Sequence, residues 1–187
     1  MSQGYVECPL ATGEDGAALS NTTTPTSILP AARKITLPPY FFNAIGKMLR
    51  VFASGRISTL TAAPGTLTLD IRFGSVIVFT TGAMNLNVTA QTNASWRFNA
   101  EMTCRAIGSG TSANMLSTAE WKTRAIIGSA AVATGGDNVD VLPDTAPAVG
   151  TGFDSTALQQ VDFFATWSVA SASNSILCHQ FALELMN

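Results

Sequence analysis

The sequence predicts an all-β protein: a single jelly-roll-like β-sandwich of about eight antiparallel strands with an extended N-terminal arm. Three observations predict it. Apolar and polar residues alternate with a period of two along most of the chain, no segment has the 3.6-residue spacing of an amphipathic helix, and Gly, Pro, Asn and Ser punctuate strand-length intervals. Strands with one apolar face must bury it against another layer, and eight of them with long end loops fit two facing sheets.

Residues 1–32 have no sustained period. Gly13, Gly16, Pro25 and Pro30 interrupt them, and Asn21 to Thr24 is a polar tract. They read as an extended arm outside a sandwich domain of residues 33–187. A frayed terminus is the alternative. Tyr5, Val6, Leu10, Ile28 and Leu29 are anchors that a solvated tail does not need, so Tyr5, Leu10, Ile28 and Leu29 are the expected partner-binding residues.

From Ile35 onward the alternation is clear. Leu49, Val51, Ala53, Gly55 and Ile57 share one parity and Arg50, Ser54, Arg56 and Ser58 the other, with Phe52 as the exception. Ala63-Pro64-Gly65 is a turn, because Pro presets φ and Gly permits a positive one. Leu67, Leu69, Ile71 and Phe73 alternate with Thr68, Asp70 and Arg72, and after Gly74 a shorter, more buried strand runs over 75–80. The strictest strand is Trp96 to Ala106, with Trp96, Phe98, Ala100, Met102, Cys104 and Ala106 on one face and Arg97, Asn99, Glu101, Thr103 and Arg105 on the other. Gly108-Ser109-Gly110 turns it into a strand over 115–124, with Ala119 and Trp121 inward and Glu120 and Lys122 outward. Residues 126–152 read as a long loop with one short strand near Val139 to Leu142. The last pair is 158–169 and 176–185, joined by the polar turn Ser171 to Ser175.

Composition narrows the function. Charged residues are 12% of the chain, hydrophobic residues 47%, and the formal net charge is −2. That excludes intrinsic disorder and argues against nucleic acid as a partner, since phosphate recognition needs a basic excess. No apolar run reaches the ~18 residues of a membrane span, so no membrane partner is expected. The N-terminus has no basic n-region followed by an apolar core, so no signal peptide is expected. On that ground the three Asn-X-Ser/Thr sequons read as chance matches. Cys8, Cys104 and Cys178 are odd in number and far apart, so they are expected as free, mostly buried thiols.

Catalytic chemistry is thin. His179 is the one histidine, and its neighbour Cys178 should point to the opposite face of the strand, which leaves a strand histidine with a local hydrogen bond. No nucleophile elbow or P-loop occurs, and one His with three scattered Cys does not make a zinc site. Asp137, Asp140 and Asp144 lack the spacing of a calcium loop. Asp70 and Glu101 pose as a pair of glycosidase carboxylates, but arginines on the same polar faces make ion pairs the simpler reading. Trp96, Trp121 and Trp167 fall on apolar parities, which favours the core over a sugar platform. No catalytic, cofactor-binding or metal-binding residue is expected, and no enzyme activity.

The run Leu37-Pro38-Pro39-Tyr40-Phe41-Phe42, followed by Gly46-Lys47-Met48-Leu49-Arg50-Val51 with Ala53 and Gly55, resembles a recurrent opening in tailed-bacteriophage virion proteins. Thr66 to Leu69, Thr92 to Trp96, Met102 to Arg105 and Ala172 to Ile176, with Phe181, Leu183 and Glu184, resemble the same group, so the likeness spans residues 37–186. It implies a jelly-roll structural protein of the virion, of the capsid decoration (cement) kind. Such a protein sits on the capsid exterior, binds the major capsid protein and assembles with itself as a homotrimer. The alternative is a head-fibre, tail-fibre or baseplate jelly roll that binds a host glycan through loop aromatics such as Phe153. An enzyme acting on a polysaccharide through Glu101 is the third class. The low charge of the outward positions suits a subunit in an assembly.

Overall fold

The computed structural model describes residues 6–11, 13–129, 139–143, 145–150 and 152–186, with side chains described outside 6–11 and 126–129. The strands are β1 (Val6–Ala11), β2 (Leu19–Ser20), β3 (Thr26–Ser27), β4 (Ile35–Leu37), β5 (Met48–Thr59), β6 (Thr66–Phe73), β7 (Val76–Thr80), β8 (Met84–Leu86), β9 (Gln91–Ala106), β10 (Asn114–Thr123), β11 (Ile126–Ser129), β12 (Val139–Leu142), β13 (Gln159–Trp167) and β14 (Ser175–Met186). A single 3-10 turn, Ala31–Arg33, is the one helical element among the described residues.

Two antiparallel sheets form the sandwich. The first runs β1-β14-β5-β9-β10-β12, with β2 also on β14. The second runs β11-β8-β6-β13-β3, with β4 on β13 and β7 on β6. Period-two alternation builds both, since successive side chains leave a strand on opposite sides. Trp96, Phe98, Ala100, Met102 and Cys104 of β9 are buried, and so are Leu67, Leu69, Ile71 and Phe73 of β6. The sheets meet through aromatic rings. Phe163 of β13 packs on Phe98 of β9 at 5.1 Å and on Phe181 of β14 at 6.1 Å between centroids. At one end Phe42, Phe73 and Phe153 form a second cluster, with centroids 5.0 to 5.6 Å apart. Burying each such ring contributes about 1.5–3 kcal/mol over leaving it in water. All three tryptophans are in this core, where parity put them.

Glycine decides one close approach. A Cβ on Gly55 would lie 1.9 Å from the Leu177 carbonyl oxygen and 2.9 Å from the Trp96 ring. Only hydrogen fits where β5 passes β14 at that level. β14 bulges at the same place: Cys178 pairs with Gly55 and Gln180 with Ser54, which leaves His179 as the extra residue.

Two expectations change. The long strands stand near their expected bounds, but the total exceeds eight because β1 to β4, β8 and β11 are added, most of them two to four residues long. The N-terminal segment is also not a free arm in its described part. β1 and β2 pair with β14, and β3 and β4 pair with β13, so the segment extends both sheets of its own chain. The cause is the open flank of each long strand, whose backbone groups need partners.

Candidate functional site: the outer face of the first sheet

Register turns four strands into a platform. Across β14, β5, β9 and β10, one row of outward residues is Gln180, Ser54, Arg97 and Lys122, and the next is Ala182, Phe52, Asn99 and Glu120. A third row is Glu184, Arg50, Glu101 and Thr118. Neighbouring strands lie ~4.8 Å apart, so each row spans roughly 14 Å. The first two rows line an open groove of about 500 Å³.

Phe52 is the unusual member. Its side chain points outward from the middle strand and remains 42% exposed. A lone exposed hydrophobe is ordinary on a protein surface. This one sits in a concavity among hydrogen-bonding groups, with the small Ala182 and the amide of Asn99 directly beside it in the ladder. The Ser54 hydroxyl donates to Gln180 Oε1 at 2.9 Å, and Lys122 Nζ lies 2.9 Å from Glu120 Oε2. Asn99 Oδ1 has no hydrogen-bond partner among the described residues. Arg97 is exposed and makes no ion pair among the described residues. The groove thus combines an apolar ring with donors and acceptors whose capacity is only partly used.

The expected partner-binding residues lie elsewhere. Ile28 and Leu29 are buried in this chain's own core, at 0% and 5% exposure. Tyr5 lies outside the described residues, and of Leu10 only the backbone, paired to Leu183, is described. Phe153, the candidate loop aromatic for glycan, is 1% exposed and packs edge-to-face against Phe42 and Phe73.

The chemistry-bearing residues separate. Glu101 lies on the outer face of the first sheet, 2.7 Å from its cross-strand partner Arg50. Asp70 is on β6 of the second sheet, 2.9 Å from Arg72, so the two carboxylates do not form a pair. Asp140 is buried in β12, while Asp137 and Asp144 lie outside the described residues. No cluster of three metal-ligating side chains occurs among the described residues. Within the bulge, His179 Nδ1 lies 2.7 Å from Asp15 Oδ1, and the Gly16 amide donates to the Cys178 carbonyl at 2.8 Å. Cys104 and Cys178 are free and buried. Burial pushes the Cys178 thiol up to about 12, against smaller opposing hydrogen bonds. At that value it is not a nucleophile near neutrality. No helix of the described residues is long and apolar enough to cross a membrane.

No protein-family description matches the chain, and no curated protein matches it. Among solved structures it is similar to the CBM2 module of the evolved Dit of Lactobacillus casei BL23 phage J-1, at 11% identity and a TM-score of 0.32 over 82% of this chain and 68% of that one. It is also similar to a Lotus tetragonolobus seed lectin, at 8% identity and a TM-score of 0.34 over 98% and 94% of the two chains. A Schwanniomyces occidentalis fructofuranosidase is similar at 9% identity and a TM-score of 0.28; the match covers 97% of this chain and spans about a third of that enzyme, 34%.

Proposed function

We propose that the protein is a non-catalytic β-sandwich component of a tailed-phage particle that binds carbohydrate through the groove on its first sheet. Its assignment to the virion rests on the sequence resemblance, and the binding role rests on the groove. The observation that carries the binding role is the outward Phe52 ring flanked by the polar side chains of Ser54, Arg97, Asn99, Glu120 and Gln180. A sugar ring has an apolar C–H face and a rim of hydroxyls. An exposed aromatic face accepts the first, while guanidinium, amide and carboxylate groups satisfy the second. Because the ladder fixes these side chains on rigid strands, little ordering is required when a ligand docks.

A glycan array probed with the intact protein tests the reading. Binding should fall roughly tenfold or more for Phe52→Ala, the loss expected when a central aromatic anchor is truncated. Unchanged binding by a folded Phe52→Ala protein removes the groove from the proposal.

One observation favours the second reading, a capsid decoration protein that also touches the major capsid protein and its own copies. At one end of the sandwich Tyr40 and Ile45 are 66% and 65% exposed, and Ile107 is exposed on an adjoining loop. Ser155 ties these loops together, since its carbonyl accepts from the Tyr40 amide and its amide donates to the Gly108 carbonyl. Tyr40 has a φ of +60°, a conformation that costs a non-glycine residue energy and is retained where surroundings impose it. Undecorated capsids should bind the wild type and not Tyr40→Ser/Ile45→Ser. Equal binding by both proteins counts against this end as the docking surface.

A further inference from the structure

The groove is electrically lopsided in a way that names its ligand. In the row Gln180, Ser54, Arg97 and Lys122, the two cations stand directly opposite each other on β9 and β10. Opposed positions bring Cβ atoms to about 5 Å, and like charges there repel. One carboxylate relieves this, Glu120, and it lies against Lys122 at 2.9 Å. Arg97 is left without an ion pair among the described residues, and so is Arg56, the next outward residue of β5 beyond Ser54. At the other end of the face the sign reverses. Arg50 is held by Glu101 at 2.7 Å, and Glu184 approaches it at 3.7 Å. The chain has a formal net charge of −2, so this cationic end is a local concentration and not a reflection of overall composition.

Resting on the carbohydrate reading above, we infer that the ligand is an anionic saccharide. Its carboxylate or phosphate sits on Arg97 and Lys122 while a neighbouring sugar ring lies on Phe52. The spacing suits this arrangement. Arg97 and Phe52 occupy adjacent rows on neighbouring strands, a separation of roughly 7–8 Å between diagonal positions, so one or two sugar residues bridge them. A guanidinium presents paired N–H groups that match either anion, and an anion between Arg97 and Lys122 relieves the repulsion between these opposed cations. A neutral sugar leaves that repulsion in place.

The test is an array that pairs each uronate- or phosphate-bearing bacterial polysaccharide with its own neutral twin, made by carboxyl reduction or by dephosphorylation. Wild-type protein should bind acidic members and lose them after neutralisation, and raising the salt concentration should weaken what binds. The two treatments separate a carboxylate source from a phosphate one. Arg97→Gln should weaken acidic ligands roughly tenfold or more, as loss of a charge-assisted hydrogen bond does. Arg97→Lys should recover part of that loss, and thermal unfolding should show all variants folded. If neutral twins bind as well as acidic ones, or if Arg97→Gln binds like wild type, the anion inference is overturned and the carbohydrate reading stands. If neither acidic nor neutral members bind, both fall together.

Discussion

The outer faces of the two sheets start from similar residue types and end in opposite conditions. On the second sheet Asp162 is almost fully buried. Its carboxylate accepts from the Ser27 hydroxyl and from the Phe163 amide, and pairs with Lys34. Arg72 reaches Asp70 at 2.9 Å and lies 4.0 Å over the Phe164 ring. The segment 26–37 runs along β13 through β3 and β4 and supplies Ser27 and Lys34 to this network. Every charge named there has a partner from its own chain. The middle of the first sheet receives no such cover in the described residues, and Phe52, Arg97 and Asn99 Oδ1 remain without a partner. The closed face explains stability, and the open one is where a ligand has something to satisfy.

Breaking the closed face should give the largest effect. Asp162→Ala strands Lys34, the Ser27 hydroxyl and the Phe163 amide at once, which should cost about 3 kcal/mol. For a chain of this length that lowers Tm by roughly 10 °C, readable by calorimetry. Glycan binding by the protein that remains folded should not change. If Asp162→Ala alters glycan affinity in the folded protein, the two faces are coupled and the division between them is wrong.

The openness of the first sheet is confined to its outer side, and alkaline titration sharpens that point. Cys178 is buried in β14 at the bulge beside the groove, with its thiol raised from 9.0 to about 12 by burial. The folded state therefore keeps its proton where the unfolded chain has lost it. Stability from this group is complete below pH 9, falls between about 9 and 12, and does not change further above. Denaturant unfolding at pH 8 and pH 10 should differ by about 1 kcal/mol from this group alone, and Cys178→Ala should flatten the slope. Rapid alkylation of the native thiol at pH 8 would instead mean that water reaches beneath the sheet.

Much of this was legible in the sequence, and the reason is period. Strands such as β9 and β10 carry five or more alternations, enough to fix which residues face inward, and the three tryptophans follow from that. β2 and β3 have two residues each, too few to show a period, so residues 1–32 carry the signature of an arm. Its apolar Ile28 and Leu29 looked like partner anchors because nothing local distinguishes packing on a neighbour from packing on one's own core. The groove itself depends on the register of four strands that are far apart in sequence. One signal was nevertheless visible, an aromatic residue at Phe52 on an otherwise polar parity.

The smaller effects compare like with like across the two faces. Arg72→Ala removes a largely buried ion pair and a cation over an aromatic ring, and should cost about 1–2 kcal/mol. Arg50→Ala removes two ion pairs whose members are roughly a third to a half exposed, and should cost under about 1 kcal/mol because water screens them. Equal losses would mean that the first sheet is held by its surface charges as firmly as the second. Phe52→Ala comes last in stability. Its side chain already meets water at 42% exposure, so unfolding should shift by less than about 0.5 kcal/mol, while ligand binding drops sharply. That contrast separates a ring kept for recognition from one kept for packing. A destabilisation of 2 kcal/mol or more would reclassify Phe52 as a packing residue, and the open face would then lose the apolar half of its site.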